Sequence, residues 1–436
     1  MRKWVAITCF SVCLYGCTPA HWLSRQARKN VLDNTALRTA HVGISIYEQA
    51  TGKWWYNYQG DKYFVPASNT KIPTCYAAMK YLGDSLVGLR YEEKADTLYI
   101  EPTGDPTFLH PDFRQQKVFD FLRATNKQLM LNIGRWQDKG WGSGWSWGDY
   151  SEYYMAERSA MPMYGNVVRF SNTLRNLLVV PGFFAHAIVN DSVASRDLYP
   201  STVTRELAVN KFYVRGDAKT NAPVEVPFYT DAGKIIFSLL ADTLQKRIYE
   251  NNSFRIAIDK NNIPIYSQPT DSLLKPMMHR SDNFFAEQSL LMVSNQLLGV
   301  MNDAKVIDTL LKTDFKDLPQ KPRWVDGSGL SRYNLFTPQD FVAILNKMKK
   351  DFGMERIKTI FPTGGTGTLS SFYKKDSGYL FAKTGTLSGV VALSGFLYTA
   401  KNRLLLFSVL VNNHQASAVA VRRAVEQFLQ RVRRRF

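Results

Sequence analysis

The chain has 436 residues, with 55 lysines and arginines against 37 acids, a formal charge of +18. Hydrophobic residues make up 45% and aromatics 13%, a globular composition, and the length calls for two domains or more. A basic surface favours anionic partners, but no zinc-finger spacing, nucleic-acid motif or long lysine run accompanies it, so nucleic acid is not an expected partner.

Met1-Arg2-Lys3 is a charged start, and Trp4–Tyr15 is an apolar run too short to span a bilayer stably. It ends in Leu14-Tyr15-Gly16-Cys17, which resembles a bacterial lipobox with Tyr15 in place of the usual small residue. The expectation is a signal peptide over 1–16, a lipid on Cys17 and an exported, periplasmic protein anchored to a membrane. Plain secretory cleavage nearby is the alternative. Cys9 and Cys13 fall in the signal, which leaves Cys75 to pack as a small hydrophobe and predicts no disulfide framework.

A polar tether is expected over 17–29. His41–Tyr47 alternates as a strand, Ala50-Thr51-Gly52 is a turn, and Lys53–Tyr58 returns. Val65–Leu82 follows. In it, Ser68 stands just before a helical pattern of Ile72, Tyr76, Met79 and Leu82, with Lys71 three residues on. On a helix the lysine amine can reach the serine hydroxyl, and a neutral amine can take its proton. A helix-capping serine and a surface lysine would look the same. Ser-x-x-Lys occurs three times (also Ser272/Lys275 and Ser371/Lys374), against about two expected by chance.

From Asp96 to Pro223 the chain turns to short strand-like runs and aromatic-glycine clusters such as Gly140–Tyr154, read as inserted material over 96–225. Asn176–Val180, Val203–Val209 and Lys211–Val214 read as strands. Helices are expected over Asp231–Tyr249, from Asn283 to Leu298, and from Thr337-Pro338-Gln339-Asp340, which supplies a cap, a first-turn proline and an acid. Tyr379–Thr384, Val390–Tyr398 and Leu404–Val411 are strands with short, hence antiparallel, connections. A last helix over Ala416–Arg435 carries an arginine-rich outer face, ordinarily a solvated one, with anionic lipid or wall polymer as the alternative contact. The fold class expected is α+β. Two early and three late strands make one five-stranded antiparallel sheet, with the first and last helices on one side. The segments 30–95 and 226–436 form the catalytic domain.

Two further motifs complete a constellation: Ser281-Asp282-Asn283 at a helix start and Lys383-Thr384-Gly385-Thr386 on a strand. In this order the three motifs resemble those of serine penicillin-binding proteins and serine β-lactamases. Pro102–Thr107, Asp326–Arg332 with Asn334, and Pro362–Leu369 further resemble the class C low-molecular-mass penicillin-binding proteins, the D-alanyl-D-alanine carboxypeptidase/endopeptidase family. The resemblance implies a serine peptidase acting on peptidoglycan stem peptides, inhibited covalently by β-lactams, with no cofactor and no metal. It implies that Ser68 attacks, Lys71 is the base with its pKa lowered by Lys383, Ser281 relays the proton and Asn283 holds the substrate amide. Thr384, Gly385 and Thr386, with the charge of Lys383, would receive the terminal carboxylate. Trp145, Asp149, Tyr153, Ser328, Arg332 and Leu387 would shape a pocket for the diamino-acid side chain, although Gly148 stands where many relatives have an acid. The competing readings are a serine β-lactamase and a catalytically dead wall-binding protein. The six histidines show no metal-ligand spacing.

Overall fold

Five largely apolar strands, several buried on both faces, build the central layer. The computed structural model describes residues 19–172, 177–191, 203–215, 223–258 and 264–436. The strands are β1 (His41–Glu48), β2 (Lys53–Tyr58), β3 (Leu380–Leu387), β4 (Val390–Tyr398) and β5 (Leu404–Asn412). They pair antiparallel in the order β3-β4-β5-β1-β2, the five-stranded sheet expected. Val42, Ile44, Ile46, Val391, Leu393, Val409 and Val411 enter one core, while Ala392, Phe396, Leu406 and Leu410 enter the other. Side chains two apart share a face, so β4 and β5 serve both cores.

Five helices matter for the site: α1 (Pro19–Ala27), α2 (Lys71–Tyr81), α3 (Asn283–Leu298), α4 (Pro338–Ile360) and α5 (Ala418–Arg435). The stretch expected to be a tether thus holds a helix. Leu23, Ala27 and Val31 recur every fourth residue and are fully buried against α5 and the sheet, although the residues between them are polar. The placement of the helices also differs from expectation. The last helix lies on one face, but the Ser68 helix, α2, packs with α3 and α4 on the opposite one. Thr337 caps α4 in a capping box with Asp340, as its sequence predicts. Cys75 is buried and free in the core of α2.

The inserted region contains a mixed five-stranded sheet in the order Ile248–Glu250, Gln128–Leu131, Thr97–Pro102, Ser85–Lys94, Ile265–Pro269, and two three-stranded sheets. The mixed sheet reaches outside the 96–225 span expected of the insert on both sides. Strand pairing, rather than composition, sets where this layer begins and ends. The helix expected over Asp231–Tyr249 runs only Ile235–Leu244, because Gln245 turns left-handed (φ 53°) and the chain leaves as a strand. Of the three short strands expected in the insert, the one expected over Lys211–Val214 runs Phe212–Arg215, while the one expected over Val203–Val209 starts in place but stops at Arg205. The third is Leu177–Val180, with Asn176 outside the described residues. Cys9, Cys13, Cys17 and the expected signal segment also lie outside them.

Candidate active site

Ser68 occupies a 3-10 turn, Ala67–Thr70, that runs straight into α2, so Lys71 opens the helix one turn after the serine. Ser68 is part-exposed and Lys71 is completely buried. The Lys71 Nζ lies 3.0 Å from Ser68 Oγ, 2.7 Å from Asn283 Oδ1 and 2.8 Å from the Ser328 carbonyl. Burial pushes its pKa down from 10.5 to about 8, and the carboxylates of Asp326, Glu287 and Asp282 pull the other way. Burial, not Lys383 as expected, is the main cause.

The second motif divides two tasks between neighbours. Asp282, not Ser281, caps α3 by accepting from the Phe285 amide at 3.0 Å. Ser281 takes a left-handed conformation (φ 63°) that few serines adopt, and Lys383 Nζ donates to its Oγ at 2.9 Å. The Asn283 amide donates to the Tyr154 carbonyl at 3.0 Å as well as accepting from Lys71, so it joins the base to the insert.

The third motif lies on β3, an edge of the sheet. Gly385 passes so close to the serine turn that a Cβ there would stand 2.7 Å from the Pro66 carbonyl oxygen and 3.1 Å from the Ser68 nitrogen. Lys383 is fully buried and also donates to the Thr384 carbonyl at 2.8 Å. Its pKa is held well below the ordinary lysine value by burial, with the Lys71 and Arg422 charges adding to this. Thr384 shares a hydroxyl contact with Thr368 at 2.7 Å, and the exposed Thr386 hydroxyl accepts from Arg422.

The residues expected to form a side-chain pocket are partly brought together. Trp145 donates to Asp326 at 2.9 Å. The exposed Arg332 donates to the Ser388 carbonyl at 2.9 Å, just beyond the half-buried Leu387. Asp149 lies beside the Tyr154 hydroxyl, whose pKa is raised chiefly by burial and then by that carboxylate. Tyr153 is 64% exposed and lines a cavity of about 320 Å³ beside Ser281 and Asn283, together with His110, Tyr154 and Arg280. Ser328 departs from expectation. Its side chain is fully buried and accepts from the Leu330 amide, so what it offers the site is its carbonyl, held on Lys71.

Four further residues support the site; Asp326 and Asn69 lie within stretches singled out above, whereas Glu287 and Arg158 carry no motif of their own. Asp326, fully buried, accepts from the Gly329 and Ser331 amides, Asn334 and Trp145. Glu287 accepts from the Ser328 amide at 2.7 Å, with burial raising its pKa to about 7. It lies four residues after Asn283 on α3, a helical spacing that could have singled it out. Arg158, 2% exposed, ion-pairs with Asp138, Glu287 and Asp303. Asn69 bridges the Lys383 carbonyl (2.8 Å) and the Ser394 hydroxyl (2.6 Å), tying the serine turn to β3 and β4. Among the described residues no group of three or more His, Cys, Asp or Glu could hold a metal ion.

Comparison with known proteins gives the chain a family and a fold. The profile of the D-Ala-D-Ala carboxypeptidase 3 (S13) family matches residues 23–432. The chain belongs to this family. Among its curated relatives, a D-alanyl-D-alanine carboxypeptidase of Actinomadura sp. (strain R39) is 25% identical over 456 aligned positions, covering 91% of this chain and 82% of the relative. A D-alanyl-D-alanine carboxypeptidase of Haemophilus influenzae is 24% identical, covering 82% of each. In fold, this S13 chain is similar to the crystal structure of penicillin binding protein 4 from Haemophilus influenzae, with a TM-score of 0.71 at 21% identity, covering 94% of this chain and 98% of that one. A predatory endopeptidase from Bdellovibrio bacteriovorus shares the fold with a TM-score of 0.53 at 14% identity, covering 91% and 94%.

Proposed function

We propose that the protein is a serine D,D-peptidase of peptidoglycan. It cleaves D-Ala-D-Ala bonds, and D-Ala–diamino-acid cross-links, through an acyl-enzyme on Ser68 that β-lactams also form. The observation that carries this reading is the set of partners around Lys71. A neutral amine has two N–H groups and one lone pair. Asn283 Oδ1 and the Ser328 carbonyl can only accept, so they take both N–H groups. The lone pair is left facing Ser68 Oγ at 3.0 Å, where it can receive the serine proton.

The steps follow from that arrangement. Ser68 Oγ bonds to the peptide carbonyl carbon while its proton passes to Lys71 Nζ. The oxyanion forms beside the backbone N–H groups of Ser68 and Thr386. The tetrahedral intermediate collapses by breaking the C–N bond, and the departing amine takes a proton through Ser281, whose Oγ is held by Lys383. Water then attacks the acyl carbon, losing its proton to the restored base, and the C–Oγ bond breaks as Lys71 returns that proton to Ser68 Oγ, which releases the shortened peptide. Family membership and the names of the carboxypeptidase relatives support the substrate class.

Mass spectrometry of pentapeptide and cross-linked muropeptides incubated with the purified protein tests the reading. Release of D-alanine or of monomeric muropeptides is expected, and Ser68→Ala should abolish it. Persistence of release in that variant would rule out the serine mechanism. A β-lactamase would share the site, so the lifetime of the penicilloyl adduct separates the two, being long in a peptidase and seconds or less in a lactamase. The charged, apolar, Cys17-terminated start of the sequence supports export and a lipid anchor in the periplasm, testable by labelling with palmitate and by its loss in Cys17→Ser.

A further inference from the structure

Arg422 is the half-buried arginine near the start of α5, and its surroundings differ from those of its neighbours. Arg423 is paired with Glu426 at 2.6 Å, and Arg433 with Asp376 at 3.5 Å. Arg422 has no carboxylate partner among the described residues. Its guanidinium sits over the Phe372 ring at 5.6 Å and donates to the hydroxyl of Thr386. A part-buried cation without a counter-ion is costly in the free protein and is relieved when an anion arrives.

The place where that anion would sit is already marked. Thr384 and Thr386 offer hydroxyls on the edge strand β3, next to the serine turn. The charge expected there was that of Lys383. Lys383 is fully buried, with its Nζ engaged by Ser281 Oγ and the Thr384 carbonyl. That leaves the exposed end of the strand without a free lysine charge and with Arg422 above it. A guanidinium presents a planar fork of donors that fits a carboxylate in two-point fashion, and it stays charged at every working pH.

We infer that Arg422 is a specificity residue that binds the C-terminal carboxylate of the stem peptide, and the corresponding carboxylate of a β-lactam, alongside Thr386. The inference rests on the reading of Ser68 as the acylated serine. Recognition by Arg422 makes the enzyme require a free carboxylate beside the scissile bond, or its mimic, which a stem-peptide terminus or the diamino acid of a cross-link supplies and an ordinary internal peptide bond lacks.

The test compares a penicillin with its methyl ester, which keeps the β-lactam and removes the anion. Second-order acylation rates are measured for the wild type, Arg422→Gln and Arg422→Lys. In Arg422→Gln the rate with the free acid should fall roughly ten- to a hundredfold, the value of one charge-assisted hydrogen bond, while the ester rate changes less than about threefold. Arg422→Lys should restore part of the loss. Because the acid-to-ester ratio is read within each variant, it does not depend on how much of the preparation is folded. An unchanged ratio in Arg422→Gln overturns the inference, whether or not both rates fall. Failure of the free acid to acylate the wild type would instead bring down the reading of Ser68, and this inference with it.

Discussion

Replacing Lys71 with methionine keeps the length of the side chain and removes its titration. In the folded protein the amine releases its proton near pH 8, whereas the unfolded chain holds it to about 10.5. Lys71 is fully buried, so solvent does not dilute this difference. A folded-state pKa below the unfolded one gives stability that is present above about 10.5 and lost as the pH falls through about 8. Between about pH 7 and about pH 9.5 the wild type should therefore gain roughly 2 kcal/mol relative to Lys71→Met. Urea unfolding of both proteins at several pH values across this window measures the difference. The hydrogen bonds that methionine forfeits at Asn283 and Ser328 contribute an offset, while the pH slope isolates the proton. A difference constant to within about 0.5 kcal/mol would mean that Lys71 stays protonated throughout, and the argument for a neutral base would fail.

The rate should carry the same signature: second-order acylation by a penicillin rises about tenfold from about pH 7 to about pH 9 as Lys71 becomes neutral, and a flat profile in stopped-flow would contradict it. Gly385→Ala should slow acylation by roughly two orders of magnitude with little change in melting temperature, because its Cβ would push β3 away from the Pro66 carbonyl and the Ser68 amide. Arg158→Met should destabilise the protein by about 3–5 kcal/mol in urea, since it leaves Asp138, Glu287 and Asp303 without their shared cation.

The catalytic residues were legible because their chemistry demands fixed residue types at short spacings. Ser68 and Lys71 share one turn, Ser281 and Asn283 flank a cap, and Lys383 alternates on a strand. The central sheet was legible for a similar reason, since most of its strands are long apolar runs bounded by turn residues. What stayed hidden depends on contacts between distant parts of the chain. Leu23, Ala27 and Val31 look sparse among polar residues, and only their burial against α5 makes a helix of the supposed tether. Ser68 and Lys71 did not reveal that burial, rather than Lys383, lowers the amine. Ser328 carried a motif position, but the backbone conformation turned its carbonyl, not its hydroxyl, to the site. Arg422 read as one of many surface arginines on an amphipathic helix, and no local pattern says that this one reaches across to Thr386.

Gly329 approaches the serine turn more closely still than Gly385, with a hypothetical Cβ only 1.9 Å from the Ala67 carbonyl oxygen. The nucleophile is thus gripped between two stretches of main chain, one from each side of the cleft. Main chain has no rotamers to exchange, so the floor of the cleft cannot adapt to what enters it. Adaptation is left to the side chains of the walls, such as Tyr153, Arg332 and Arg422. Selectivity can therefore be re-engineered at the walls while the reaction machinery stays fixed, and a drug that reaches the floor meets a shape that no single side-chain rearrangement can withdraw.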